Sequence, residues 1–93
     1  MTIQHEDTGS KGRFYYEVEG LKKAQMTYSH AGSDKIIIDH TEVDESMKGQ
    51  GVGYTLVEAS VDYAREKEIK ILPLCPFAAA VFKKRTEYKD VLF

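Results

Sequence analysis

Alternating hydrophobic and polar positions dominate the first half of the chain. Residues 13–18 and 22–28 each alternate with a period of two and carry aromatic or apolar side chains on one face, which is typical of half-buried strands. Glu19 and Gly20 separate the two runs and predict a turn, so the runs form a hairpin or a meander. Residues 35–43 begin with three consecutive isoleucines, which predicts a strand that is covered on both faces and is central in its sheet.

Helical periodicity replaces this alternation in the second half. Residues 54–67 place Val57, Val61 and Ala64 on one stripe, and this predicts an amphipathic helix about 20 Å long. Residues 71–72 begin a short strand. Because strand–helix–strand units are almost always right-handed crossovers, this strand is expected to lie parallel to the one before the helix.

Two prolines punctuate the next connection. Pro73 ends the short strand, and Pro76 suits the first turn of a second helix, predicted over residues 77–85. Residues 86–93 are interpreted as one further helical turn and a terminal segment. The expected fold class is therefore α/β, with a mixed sheet of about four strands, one crossover helix and a C-terminal helix.

The length of 93 residues suits one small domain with one modest core. Residues 1–12 are polar, and we interpret them as a flexible or edge segment that precedes a single domain over residues 13–93. His5, in that segment, and His30, in the turn after the second strand, are expected to be solvated.

The charges nearly balance, with 13 basic and 15 acidic residues. This composition favours neither nucleic acid nor anionic membranes as a partner. One cysteine cannot form an internal disulfide, and three scattered histidines do not give a zinc site, so no metal is expected. No apolar run is long enough to cross a bilayer, and we expect a cytoplasmic protein.

A glycine-rich loop connects the third predicted strand to the first helix. Its residues are Lys48, Gly49, Gln50, Gly51, Val52 and Gly53. Glycine allows consecutive backbone N–H groups to turn toward one side, and the start of a helix adds unpaired N–H groups and a positive dipole end. The loop therefore predicts a binding site for an anion such as a phosphate.

Three kinds of phosphate loop can be compared with this one. An NTP-binding loop ends in Gly-Lys-Ser/Thr, whereas residues 53–55 read Gly-Tyr-Thr. A dinucleotide loop follows the first strand and needs an acidic residue after the next one, where residues 72–73 read Leu-Pro. The pyrophosphate loop of acyl-CoA enzymes, Gln/Arg-x-x-Gly-x-Gly/Ala, has the observed spacing, with Lys48 as the one change.

Two further motifs stand in register with the loop: His-Thr-Glu-Val at residues 40–43 and Pro-Leu-Cys-Pro at residues 73–76. With them, the chain from about residue 14 to residue 93 resembles the GNAT superfamily of N-acetyltransferases. It is most similar to the very small single-domain branch, which carries a Pro-x-Cys-Pro turn.

This resemblance implies an acetyl-CoA-dependent N-acetyltransferase with an unidentified small or peptidic amine as acceptor. It implies a splayed sheet in which the backbone of Glu42 and Val43 pairs with the pantetheine, while N–H groups from Lys48 to Gly53 hold the pyrophosphate. The expected protein is a monomer or weak dimer. The alternative is a non-catalytic CoA- or acyl-CoA-binding module or sensor. Larger relatives have two helices that wall off the acceptor, so an open or shallow acceptor site is expected here.

The catalytic candidates are Cys75 and His40. Cys75 precedes a helix, and a helix N-terminus lowers a thiol pKa, so it could form a covalent acetyl-cysteine or relay a proton. The competing interpretation is a small buried hydrophobic residue. His40 could be a base at the strand end or a hydrogen-bonded structural histidine, and Glu42 or Tyr88 could assist.

Overall fold

The computed structural model describes residues 2–93, which form one mixed sheet with two α-helices. The strands are β1 (Gln4–Asp7), β2 (Lys11–Val18), β3 (Leu21–His30), β4 (Lys35–Val43) and β5 (Lys70–Pro73). The helices are α1 (Val52–Lys67) and α2 (Pro76–Lys84), and short 3-10 segments cover Glu45–Met47 and Thr86–Val91. The predicted mixed α+β class is confirmed.

The order of the strands in the sheet equals their order in the chain. β1 to β4 are antiparallel, and β5 lies parallel to β4 after the crossover through α1. The predicted parallel pairing is therefore confirmed. α1 begins at Val52, two residues before the predicted start, because Gly51 serves as its N-cap in the left-handed conformation at φ 75°.

The sheet has five strands, whereas the sequence indicated about four. The additional strand is β1, which pairs with β2 from Gln4 opposite Tyr15 to Asp7 opposite Gly12. Its four residues are all polar and exposed, and this explains why they suggested no strand. Residues 4–7 are thus an edge strand of the sheet and not a segment outside it.

Both helices pack on one face of the sheet and against each other. The hydrophobic core lies between them and the sheet. It includes Phe14, Met26, Tyr28, Ile36, Ile38, Leu56, Val57, Val61, Ala64, Ile71, Ala78, Val81 and Phe82. The expectation that β4 is covered on both faces is wrong: Ile37 is only half-buried, since it lies on the opposite, helix-free face.

His5 is exposed, as predicted, and His30 is half-buried, but both also form hydrogen-bond contacts within the protein that the sequence did not indicate. They belong to a polar group that we call the β1 cluster: His5, Asp7, Tyr28, His30 and Tyr63. His5 also stacks on the ring of Phe14, with 4.2 Å between ring centroids. The antiparallel pairing of β1, β2 and β3 brings these residues together from distant parts of the sequence.

The protons of the β1 cluster can be assigned from its distances. The Tyr28 hydroxyl donates to Asp7 Oδ2 at 2.6 Å, and His30 Nε2 lies 2.7 Å from the same oxygen. His5 Nε2 lies 2.6 Å from the Tyr28 hydroxyl. Because Tyr28 has a single proton and gives it to Asp7, His5 must be the donor in its contact with Tyr28.

Candidate functional site

The central feature of the site is a separation of β4 from β5. The two strands pair only over residues 35–38 and 70–73. After that, the N–H groups of Leu74 and Cys75 both donate to the Ile38 carbonyl, at 3.0 Å each, and the chain turns into α2. Residues 39–43 of β4 therefore pair with β3 on one side only, and we call their other side the open edge.

The direction of the main-chain groups along β4 follows from one hydrogen bond. Asp44 N–H donates to the Lys23 carbonyl at 2.7 Å. In an antiparallel pair, residues alternate between hydrogen-bonded and non-hydrogen-bonded positions. The main-chain groups of Glu42 therefore point toward β3, whereas those of Thr41 and Val43 point to the open edge.

The glycine-rich loop lies beyond the open edge and leads into α1. Four of its six N–H groups have no hydrogen-bond partner within residues 2–93; they belong to Gly49, Gly51, Val52 and Gly53. The N–H groups of Lys48 and Gln50 donate back to carbonyls of the preceding 3-10 segment, at 3.3 Å each. Free donors at the start of a 16-residue helix form a favourable environment for an anion.

A cleft of about 480 Å³ joins the loop to the open edge. Its walls include Val43, Met47, Gly51, Gly53 and Phe77. The Phe77 ring covers Gly53 so closely that a Cβ on Gly53 would lie 2.6 Å from its Cζ atom. Glycine is therefore required at position 53 for space, as long as the ring keeps its place.

The side chains of the loop are occupied locally. The ammonium of Lys48 lies 3.2 Å from Glu45 Oε2, and the Gln50 amide donates to the Ser46 carbonyl at 3.3 Å. A further cation stands close by, because the Arg85 guanidinium lies 5.1 Å from the ring centre of Tyr54, which also lines the cleft.

Cys75 lies at the inner end of the separation between β4 and α2. Its side chain is only 4% exposed, and its thiol donates to Thr41 Oγ1 at 3.3 Å. Burial acts to raise the pKa of the Cys75 thiol, but Thr41 and the N–H groups at the start of α2 outweigh it and lower the pKa. These N–H groups belong to Phe77 and Ala78; they face the sulfur without forming a capping hydrogen bond.

His40 is not a partner of Cys75. Its side chain is 64% exposed, and Nε2 lies 3.7 Å from Glu42 Oε2. Residues 40 and 42 share one face of β4, and Thr41, the partner of Cys75, lies on the other. The structure thus separates the two predicted catalytic residues. Glu42 also accepts a hydrogen bond from the Gln25 amide at 2.9 Å.

Tyr88 lies away from the cleft. It is buried, packs on Phe82, and its hydroxyl donates to Glu58 Oε2 at 3.4 Å. Thr41 and Phe77 also shape the site, and neither was predicted to do so, although both adjoin the predicted motifs. Thr41 stands inside the His-Thr-Glu-Val motif, and Phe77 directly follows the Pro-Leu-Cys-Pro turn.

Two features are absent from residues 2–93. No group of three or more His, Cys, Asp or Glu side chains is arranged to hold a metal ion. No helix in the same range is long and apolar enough to span a bilayer.

Comparison with known proteins adds independent observations. The family described as GCN5-related N-acetyl-transferase matches residues 13–91. Protein NATD1 from Danio rerio is 30% identical over 76 residues, which cover 81% of this chain and 67% of that protein. Protein NATD1 from Xenopus tropicalis is 25% identical over 75 residues, which cover 80% and 69%.

Solved structures agree with this assignment. The solution structure of a GCN5-like protein from Staphylococcus aureus matches with a TM-score of 0.78 and 35% identity, covering 99% of this chain and 87% of that one. A predicted acetyltransferase from Clostridium acetobutylicum, crystallised with acetyl-CoA, shares the fold with a TM-score of 0.65 and 18% identity, covering 80% and 55%.

Together with these comparisons, a mixed sheet whose strands separate beside a glycine-rich helix start identifies the protein as an acetyltransferase. The chain belongs to the GCN5-related N-acetyltransferase family. The family assignment made from the sequence is confirmed. The assignment to a branch with a Pro-x-Cys-Pro turn stays a prediction.

Proposed function

We propose that the protein transfers an acetyl group from acetyl-CoA to an amine. The observation that supports this proposal most directly is the set of four unpaired N–H groups in the loop, next to a strand edge that lacks a partner. The family uses acetyl-CoA, which supplies the thioester. A cytoplasmic location remains part of this proposal.

The loop and the open edge would divide the binding of acetyl-CoA between them. The N–H groups of Gly49, Gly51, Val52 and Gly53 would hold the pyrophosphate. The main-chain groups of Thr41 and Val43 would pair with the amides of the pantetheine, as an added strand would. Val43 keeps its predicted role, and Thr41 replaces Glu42, whose main chain points toward β3.

The transfer itself needs a polarised thioester carbonyl and an uncharged amine. The N–H group of Thr41, at the inner end of the open edge, would donate to the thioester carbonyl, while the carbonyl of Thr41 and the main-chain groups of Val43 pair with the pantetheine. A bond forms between the amine nitrogen and the acetyl carbon, the carbon–sulfur bond breaks, and the nitrogen loses one proton as the CoA sulfur leaves. The exposed His40, with Glu42 beside it, is the base proposed to accept that proton.

Two routes remain for Cys75. In one, its thiolate takes the acetyl group from the thioester and passes it to the amine; in the other, the thiol only relays a proton. The lowered pKa favours availability of the thiolate, whereas the small exposed fraction favours direct attack by the amine. Replacement of Cys75 by Ala tests both routes together, because full activity of that variant would remove the thiol from the mechanism.

Titration with CoA tests the binding half of the proposal. We expect the amide NMR signals of residues 49–53 to shift more than those of other loops. Gly53→Ala should weaken CoA binding by about tenfold, since the added methyl group displaces Phe77 from the cleft wall. Gly20→Ala, in the exposed turn between β2 and β3, is the control and should bind CoA as the wild type does. Unchanged amides in residues 49–53 would contradict the proposal.

Release of free thiol from acetyl-CoA in the presence of an amine panel tests the catalytic half. The alternative of a non-catalytic CoA-binding module predicts amide shifts in the loop without thiol release from any acceptor. Turnover with any amine, together with acetylation of that amine detected by mass spectrometry, would exclude this alternative.

A further inference from the structure

A second groove of about 360 Å³ lies on the helix-free face of the sheet. Strands β1 to β4 form its floor, and its walls include Glu6, Lys11, Arg13, Thr27 and Asp39. Neither helix covers this face, so a solute can reach the groove directly. The groove takes no part in the proposed binding of CoA, which involves the loop and the open edge.

Asp39 connects this groove to the open edge. Thr27 pairs with His40 and Tyr28 pairs with Ile38, so Asp39 is the additional residue of a β-bulge in β4. Ile38 is also the last residue of β4 that pairs with β5. The bulge therefore stands where the two strands separate. Thr27 Oγ1 donates to the Asp39 carboxylate at 2.5 Å, which places this carboxylate on the helix-free face.

Two of the four charges around the groove neutralise each other. Arg13 Nε donates to Glu6 Oε1 at 2.8 Å. Asp39 and Lys11, in contrast, form no ion pair with any residue between 2 and 93. The groove thus keeps one negative group at the separation of β4 and β5 and one positive group farther out.

The register of the sheet sets the distance between these two groups. Lys11 pairs with Ser29, and Ser29 pairs with Ile37, so Lys11 lies two strands away from β4 and two residues along from Asp39. Strand spacing and rise per residue put their backbones about 12 Å apart. The long, flexible Lys11 side chain can reach across part of this gap, so a small molecule whose ammonium and carboxylate are several bonds apart would contact both groups.

We propose that this groove is the acceptor site and that the acceptor is a zwitterionic primary amine, such as an ω-amino acid. Its ammonium would face Asp39, near the bound thioester, and would lose one proton to solvent before the nitrogen attacks, while its carboxylate would face Lys11. Asp39 acts here as a positioning residue, because it orients the nitrogen and takes no part in bond formation. The role of the groove in acetyl transfer rests on the function proposed above, whereas amine binding by the groove can be measured without it.

A matched pair of amines tests the proposal. 4-Aminobutyrate and butylamine share the amine and the chain length, and only the first carries a carboxylate. We expect NMR titrations to shift the amides of Lys11, Thr27 and Asp39, with 4-aminobutyrate binding about fivefold more tightly, as expected for one exposed charge pair. Equal affinity for the two amines, or shifts outside the groove, would overturn the proposal.

Four variants sharpen this test. Asp39→Asn should weaken the binding of both amines, and Lys11→Gln should weaken only 4-aminobutyrate and bring its affinity to that of butylamine. Asp62→Asn and Lys67→Gln, on α1 and away from the groove, are charge-matched controls that should leave both affinities unchanged. If the controls weaken binding as much as the groove variants do, net charge explains the effect and the groove does not.

Amine binding by the groove and acetyl transfer from acetyl-CoA can be tested separately. Loss of the CoA-dependent shifts in residues 49–53 would end the proposed function, yet the amine titration of the free protein would still decide the groove. Conversely, acetylation of butylamine and 4-aminobutyrate with equal kcat/KM would overturn the zwitterionic acceptor and leave acetyl transfer standing.

Discussion

The β1 cluster and the glycine-rich loop use polar groups in opposite ways. In the β1 cluster, side-chain donors and acceptors satisfy one another: Asp7 accepts from Tyr28 and His30, and Tyr28 accepts from His5. In the glycine-rich loop, four backbone donors belong to residues that line a cleft and have no partner in residues 2–93. A closed network contributes to stability, whereas open donors leave capacity for a ligand.

The difference extends to two glycines that lie under aromatic rings. A Cβ on Gly12 would lie 2.3 Å from the Tyr28 ring and 2.8 Å from the Glu6 carbonyl, which belongs to the backbone of β1. A Cβ on Gly53 would meet only the ring of Phe77, which is 36% exposed and can move. The first contact holds strands together, and the second shapes a binding cleft.

Gly12→Ala should therefore have the largest effect on stability. Neither the buried Tyr28 ring nor the Glu6 carbonyl can move without breaking the β1 cluster, so we expect a loss of about 3 kcal/mol in the free energy of unfolding. Urea unfolding measures it. Gly53→Ala is the matched control, with an expected loss below about 1 kcal/mol. Equal losses in the two variants would contradict the distinction between the two regions.

Much of the fold could be predicted from the sequence, because the patterns that determine it are local. The period of two in residues 22–28 and the stripe of Val57, Val61 and Ala64 each reflect a single element that packs on the core. β1 could not be predicted in this way. Its four side chains are exposed, so its place in the sheet depends on pairing with β2 and leaves no hydrophobic pattern.

The candidate site, too, could be predicted only in part from the sequence. The glycine-rich loop is a contiguous stretch with its own chemistry, so its role could be proposed from the sequence alone. Whether His40 can reach Cys75 depends on whether both side chains lie on the same face of β4. The bulge at Asp39 shifts the alternation of side chains between the two faces of this strand. The β1 cluster joins residues that are far apart in the chain, such as Asp7 and Tyr63 at 56 positions, which no local pattern relates.

Tyr28→Phe should have the next largest effect. The substitution keeps the buried ring and removes the hydroxyl, which leaves the His5 donor without its acceptor and takes one donor from Asp7. We expect the free energy of unfolding to fall by about 1–2 kcal/mol, as is usual for partly buried hydrogen bonds to a charged group. CoA binding should not change, because the hydroxyl lies outside the cleft.

Tyr88→Phe is the control for this prediction. Its hydroxyl makes one long contact, 3.4 Å to Glu58, so its removal should cost less than about 0.5 kcal/mol. If Tyr28→Phe costs no more than Tyr88→Phe, the β1 cluster is not the stabilising network described here.

The smallest expected effect is a dependence of stability on pH. Burial, aided by the charge of His30, lowers the pKa of His5 although Asp7 acts to raise it. A base whose folded pKa lies below its unfolded value of about 6.5 contributes stability that is lost as the pH falls below that value.

The contribution of Asp7 to stability also decreases as the pH falls, but over a lower pH range. Burial acts to raise its pKa, but hydrogen bonds from Tyr28, His30 and the Gly9 N–H hold that pKa well below its ordinary value. The contribution of Asp7 is therefore complete at pH 5 and is lost only below about pH 4. Between pH 7 and pH 5, protonation of His5 is therefore expected to lower stability.

His5→Phe separates the titration from the packing, since phenylalanine keeps the stacking on Phe14 and carries no ionisable group. Urea unfolding at pH 7 and pH 5 should show a larger loss of stability for the wild type than for His5→Phe. Gln4→Ala, on the same strand, should keep the dependence of the wild type. If the wild type and His5→Phe lose equal stability over this interval, the histidine does not couple protonation to the attachment of β1, and the β1 cluster is held by its aromatic packing and by Asp7 alone.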